Sequence, residues 1–133
     1  MALLTKHAID FNGASREYEV WERNISRPAP QYWISYNAGK VFVSDEVPEQ
    51  FRPFMVMHEL YEFETYKGRP FQCVRALLKE MQLVSDDQFP AYVRFRKDVF
   101  SNLVGFLERH EPTSSFLPHA KESLGLLELW CSQ

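Results

Sequence analysis

The segment FMVMHELYEFETYKG, residues 54–68, places one histidine and several glutamates inside an otherwise apolar and aromatic stretch. Each residue of an α-helix turns by about 100°, so His58 and Glu62 lie one turn apart, within about 40° of each other on one face. An imidazole and a carboxylate placed in this way can bind the same metal ion. Glu59 is rotated by about 100° from His58, where its carboxylate could hold a metal-bound water and accept its proton. The spacing predicts a metal site with His58 and Glu62 as ligands and Glu59 as the catalytic base.

The residues from His58 to Glu62 read H-E-x-x-E, which differs at its last position from the H-E-x-x-H of zinc-dependent proteases. A carboxylate in place of the second imidazole adds negative charge to the metal and weakens its pull on bound water. It also shifts the preferred ion from Zn²⁺ towards Mn²⁺ or Fe²⁺. We therefore expect a divalent ion, either zinc, manganese or iron. The third ligand must come from elsewhere, and the sequence leaves five candidates open: Glu80, Asp86, Asp98, His110 and His119.

The elements that would position this site divide the chain into two parts. Residues 17–24 alternate in polarity, and residues 32–36 and 40–44 flank the turn Asn37-Ala38-Gly39, so the first part predicts strands that include a hairpin. Residues 26–31 carry two prolines and predict a loop.

After residue 45 the apolar residues recur at helical spacing. They predict helices that begin at Pro48 or Pro53 and end near residue 66, with Gly68 as the cap, and then over 70–84, 87–109 and 118–130. The third helix is expected to pack centrally through its apolar residues Phe95, Val99, Phe100, Leu103, Phe106 and Leu107. We expect one domain over residues 1–133 in the α+β class, with an N-terminal antiparallel sheet of about three or four strands and about four helices.

The strand-rich GKVFVSDEVP, followed by a proline-opened helix that leads into HEL, resembles small zincin metallopeptidases of the ImmA/IrrE type over residues 39–68. The resemblance implies a zincin-like fold and a metal-dependent peptidase or hydrolase. It places His58 at the first-ligand position and Glu59 at the catalytic-base position. The second histidine of that family is absent, because Glu62 occupies its place, so a relative that has lost its activity is an open alternative.

Composition excludes several other classes of protein. The net charge of −3 and the pI near 5.8 do not suit a nucleic-acid partner, and no long apolar run predicts a membrane span. The N-terminus does not resemble a signal peptide, so we expect a cytoplasmic protein. Its two cysteines indicate neither a disulfide framework nor a cysteine zinc site, and Cys73 is expected to be buried and inert. The basic residues Arg94, Arg96 and Lys97 are expected to form a solvated helix face.

Two non-catalytic interpretations remain open. His58 and Glu62 could form an ordinary surface pair that holds no metal and contributes a few tenths of a kcal/mol. Alternatively, the chain could be a binding protein, such as an immunity or inhibitor protein, that recognises a protein or peptide through an acidic, aromatic-rich surface. The aromatic residues that suggest this surface are Trp21, Tyr32, Trp33 and Tyr36. The sequence does not indicate an oligomeric state.

Overall fold

The computed structural model describes residues 2–23 and 28–132, which form a sheet followed by helices. The strands are β1 (Leu3–Phe11), β2 (Ala14–Trp21), β3 (Ile34–Asn37) and β4 (Lys40–Ser44). The helices are α1 (Arg52–Leu60), α2 (Gln72–Gln82), α3 (Phe89–His110) and α4 (Phe116–Cys131). A 3₁₀ turn (Glu49–Phe51) precedes α1, and a π-helical turn (Tyr61–Thr65) follows it. The predicted α+β arrangement of an N-terminal sheet and four helices is confirmed.

The sheet has the strand order β1-β2-β4-β3, with β1 and β3 at its edges. Pairs β1–β2 and β3–β4 are antiparallel hairpins, whereas β2 and β4 pair in parallel. The sheet is therefore mixed, and the prediction of an antiparallel sheet is wrong for this pair. The first hairpin turns through Asn12 and Gly13, both at positive φ (53° and 84°), as a tight two-residue loop requires. The parallel pair arises because β3 does not pair with β2: β4 follows β3 in a hairpin and lies between β3 and β2 in the sheet.

The hairpin predicted around Asn37-Ala38-Gly39 is confirmed, with Ala38 and Gly39 at positive φ. The strand predicted over residues 17–24 begins earlier, at Ala14, and ends at Trp21. Residue 24 of that prediction and residues 26 and 27 of the predicted loop lie outside the described residues. Residues 28–31 form no strand or helix, as their prolines predict.

Each helix falls close to its predicted range, and proline occupies the first turn of α1 and of α3. The core forms where the inward valines of β2 and β4 pack on α1, and α3 and α4 close the other side of α1 and α2. In α3, Val99, Phe100 and Leu107 are buried as predicted. The remaining predicted core residues of this helix are partly buried against the same core: Phe95, Leu103 and Phe106. Within the described ranges, no helix has the length and apolar character needed to span a membrane.

Candidate metal centre

Three buried side chains converge where α1 meets α2. His58 Nε2 lies 3.1 Å from Glu62 Oε1 and 3.8 Å from Cys73 Sγ, and the candidate ligand atoms of all three lie within 4.8 Å of one another. The predicted pairing of His58 with Glu62 on one face is therefore present. The alternative interpretation of an ordinary surface pair does not hold, because His58 and Glu62 are only 2% and 3% exposed.

The connection between the two helices brings Cys73 opposite His58. The π-helical turn closes with a hydrogen bond from the Tyr66 N–H to the Tyr61 carbonyl (2.9 Å). Gly68, at φ 73°, then reverses the chain, as predicted for a helix cap. Phe71 enters α2 from the left-handed region (φ 57°), and Cys73 lies in the first turn of that helix. The backbone conformation of residues 66–71 therefore determines where the Cys73 thiol lies relative to His58.

The spacing of these donors suits a shared ion. Ligand atoms about 2.0–2.3 Å from a tetrahedral zinc ion lie about 3.3–3.6 Å from each other. The distances from His58 Nε2 to the other two donors, 3.1 and 3.8 Å, bracket this range. Glu62 Oε2 is buried and has no hydrogen-bond partner among the described residues. A buried carboxylate oxygen without a partner is costly, and a metal ion would satisfy it.

Behind His58 lies a buried ionic cluster built from α2 and α3. Glu80 accepts two hydrogen bonds from Arg96, at 2.7 Å from Nε and 3.0 Å from Nη2, and a third from the Tyr92 hydroxyl. Arg96 is 2% exposed, so the predicted solvated face is wrong at this position. The pairing with Glu80 explains its burial, because a guanidinium can leave water when a carboxylate matches it in two hydrogen bonds.

The cluster also contacts the candidate ligand. His58 Nδ1 lies 2.8 Å from Glu80 Oε1, close enough for an ion pair, although the angle between the groups is not that of a hydrogen bond. Burial disfavours a charged Glu80, but Arg96 and His58 outweigh it and hold the Glu80 pKa below its ordinary value. A carboxylate behind the distal nitrogen of a metal-binding histidine orients the ring and raises its basicity.

The protonation of His58 reflects the same surroundings. Burial opposes charge on the imidazole, but Cys73, Glu62 and Glu80 together raise the His58 pKa well above its ordinary value. Metal-free protein therefore holds a proton between these groups near neutral pH. Binding of an ion to Nε2 would displace that proton.

Glu59, the predicted catalytic base, is 8% exposed and lines the same cavity. Burial and the neighbouring Glu62 carboxylate raise the pKa of Glu59 to about 8. A carboxyl group of this kind can exchange a proton near neutral pH, as a general acid–base group must.

The predicted third ligands do not complete the donor cluster. Asp86, Asp98 and His110 are exposed, and His119 lies outside the cluster. Glu80 approaches His58, but at Nδ1 and not at Nε2. The third donor is instead Cys73, a residue that the apolar helical pattern had assigned to the core. It is buried as predicted and accepts a hydrogen bond from the Ser123 hydroxyl of α4 (3.0 Å).

The donors line a cavity of about 390 Å³. Residues 30–36, which include β3, form one wall, and α3 and α4 form the others. The half-buried aromatic residues Tyr32, Trp33 and Tyr36 belong to this wall. Tyr36 stacks on Phe63 (5.4 Å between ring centroids), so it packs along the cavity.

Comparisons with known proteins identify no relative. No protein-family model matches the chain, and no curated protein or solved structure is significantly similar to it. The zincin-like resemblance of residues 39–68 therefore stays a prediction.

Proposed function

We propose that the protein is a metal-dependent hydrolase in which His58, Glu62 and Cys73 bind a divalent transition-metal ion. The observation that supports this proposal is the convergence of their three buried ligand atoms within 4.8 Å, beside a cavity that the same residues line. A fourth position facing the cavity would be left for water or substrate, as catalytic zinc sites require. The zincin-like resemblance supports the same assignment.

The donor set favours zinc. Glu62 alone shifts the preference towards harder ions, but the Cys73 thiolate shifts it back, since soft sulfur ligands select zinc over manganese. A zinc ion held here would polarise a substrate carbonyl and lower the pKa of a bound water.

Glu59 is the proposed general base, because it lies beside the donors and lines the cavity. In this mechanism its carboxylate takes a proton from water as the water oxygen bonds to the carbonyl carbon. The carbon–nitrogen or carbon–oxygen bond to the leaving group then breaks, and Glu59 returns the proton to that leaving group.

The first test measures bound metal. Protein purified without chelator should contain close to one equivalent of zinc, and its cobalt form should show thiolate-to-cobalt charge-transfer absorption. Cys73→Ser should abolish that absorption, whereas Cys131→Ser, the matched control at the other cysteine, should keep it. Glu62→Gln should lose the metal and Glu64→Gln, two residues further along the chain, should retain it.

Turnover separates metal binding from catalysis. Glu59→Gln should keep the metal and lose hydrolysis of model amides and esters. Protein that binds no ion, and whose melting temperature does not change with Zn²⁺ or Mn²⁺, would refute the proposal. A loaded site without turnover in the wild type would instead indicate a relative that has lost its activity.

The alternative proposal is a non-enzymatic binding protein that recognises a protein partner. It draws support from Trp21, Tyr32, Trp33 and Tyr36, which keep part of their surface accessible. A partner that wild-type protein retains from its native host, and that Trp33→Ala loses while Cys131→Ser keeps it, would favour this alternative if the purified protein also lacks metal.

A further inference from the structure

The cavity beside the metal centre changes character along its length. At the inner end lie the polar side chains of His58, Glu59, Glu62, Cys73 and Arg96, all of them buried. The wall beyond them is mainly aliphatic and aromatic, with residues from β3, the π-helical turn, α3 and α4. A ligand that fills this space must therefore be polar at one end and apolar next to it.

The exposure of the wall residues indicates which end is deep. Phe100 (4%) and Ala120 (2%) are buried, Leu103 is half-buried, and Phe116 is 42% exposed. Phe116 makes an edge-to-face contact with Phe63 (5.7 Å between centroids), which forms an aromatic rim between α4 and the end of α1. The cavity therefore runs from the polar donors, past Phe100 and Leu103, to this rim.

Polar side chains reappear only towards the outside of the described lining. Gln31, Ser35 and Glu111 are exposed, and Ser114 is half-exposed. A charged group midway along the cavity would lose its hydration against apolar walls without gaining a partner there. The walls therefore select an uncharged, apolar group next to the metal centre.

The volume limits the size of that group. Small-molecule sites span about 300–1,000 Å³, and about 390 Å³ lies near the lower limit. The space suits one aromatic or branched aliphatic group and is too small for several residues of an extended chain.

We propose that the substrate is a small amide or ester whose acyl group is aromatic or branched aliphatic. Its carbonyl lies at the His58–Glu62–Cys73 end, and its apolar group packs between Phe100 and Leu103. The inference rests on the proposed function, because it takes the metal centre as the site of the carbonyl. Hydrolysis would release the acyl group as a carboxylate and the leaving group as an amine or alcohol.

Hydroxamates test this assignment without turnover, since their head group binds zinc while the attached group can be varied. On zinc-loaded protein, phenylacetohydroxamate and 4-methylpentanohydroxamate should bind at least about tenfold more tightly than acetohydroxamate, because they bury additional apolar area. Calorimetry gives the affinities. Phenylacetamide, which lacks the metal-binding head, should bind the metal-free protein weakly at the same place.

Two variants locate the apolar group. Leu103→Gln should remove the tenfold preference while acetohydroxamate binds as before. Leu129→Gln, at a 57% exposed position of α4 that does not line the cavity, should keep the preference. Phe116→Gln, at the exposed rim, is a second cavity variant, and it serves if Leu103→Gln does not fold. It should reduce the preference for the two larger hydroxamates severalfold.

The outcomes distinguish the two proposals. Equal affinities for the three hydroxamates on loaded protein would overturn the substrate class and leave the metal site standing. If the protein takes up no metal but binds phenylacetamide in a way that depends on Leu103, the proposed hydrolase would be overturned. The cavity would then be a binding site for an apolar group without a metal centre.

Discussion

Two clusters in this fold use the same three residue types. At the surface, Glu64 accepts hydrogen bonds from Arg16 (2.6 and 2.5 Å) and from the Tyr36 hydroxyl (2.6 Å). In the interior, Glu80 accepts the equivalent bonds from Arg96 and Tyr92. The outer carboxylate has these partners alone among the described side chains, whereas the inner one also lies against His58.

The two clusters have similar hydrogen bonds but differ in how much they are expected to stabilise the fold. The side chains of Arg16 and Glu64 are 21% and 26% exposed, so water competes with their pairing. Glu80 and Arg96 are nearly inaccessible, so water does not compete with their pairing and cannot replace either partner. Such a pair gains little over an apolar pair, but losing one member leaves a buried charge uncompensated. The inner cluster should therefore be much less tolerant of change.

The largest effect is expected from Arg96→Met, which removes the partner of a fully buried carboxylate. We expect the free energy of unfolding to fall by about 3–5 kcal/mol. Urea denaturation followed by circular dichroism measures this loss. A loss below about 1 kcal/mol, the range of a surface pair, would contradict the larger contribution expected of this buried pair.

A smaller effect is expected from pH on the metal-free protein. In the unfolded chain Glu59 loses its proton near its ordinary pKa of 4.5, whereas in the folded chain it does so near 8. The unfolded chain binds fewer protons between these values, so folding stability falls as pH rises through this window. His58 acts in the same direction, because its raised pKa gives stability below pH 6.5 that is lost as pH rises through the folded value.

Denaturation of chelator-treated protein at pH 5.5 and pH 8 should therefore show a loss of a few kcal/mol at the higher pH. Glu59→Gln should reduce this slope. Saturating zinc should oppose it, because metal binding releases protons and strengthens as pH rises. A flat pH profile in metal-free protein would contradict the proposed burial of these groups.

The smallest effect is expected from Arg16→Met, the matched variant of the surface cluster. Partial exposure limits the expected loss to at most about 1 kcal/mol, and salt should reduce it further. The same denaturation measurement applies. A loss in the free energy of unfolding as large as that of Arg96→Met would show that the two clusters stabilise the fold equally. Burial would then not explain a difference between them.

Much of the fold could be predicted from local pattern. Helical periodicity and proline placement predict the four helices within a few residues of their ends. The ion pair of Glu64 had no such local signal, because its partners Arg16 and Tyr36 come from β2 and β3. The Asn12-Gly13 pair is an equally clear hairpin signal, because it lies between residues that alternate in polarity, yet the predicted strands began only at residue 17.

The parallel pairing of β2 with β4 had no local signal, because it depends on the path of the chain outside the sheet. The site was predictable only in part. Arg96 lies four residues from both Tyr92 and Phe100, and so occupies an apolar stripe of α3; this position could have indicated its burial. Cys73 could not be singled out, because its approach to His58 depends on the chain reversal at Gly68 and Phe71.

That reversal gives the proposed ion a mechanical role. His58 and Cys73 lie on opposite sides of a short connection that includes Gly68 and the left-handed Phe71. An ion bound by both would act as a crosslink across this connection and would join the end of α1 to the start of α2. Separation of the two helices would then require the breaking of coordination bonds, so the ion would restrain a connection that contains a non-glycine residue in the left-handed region.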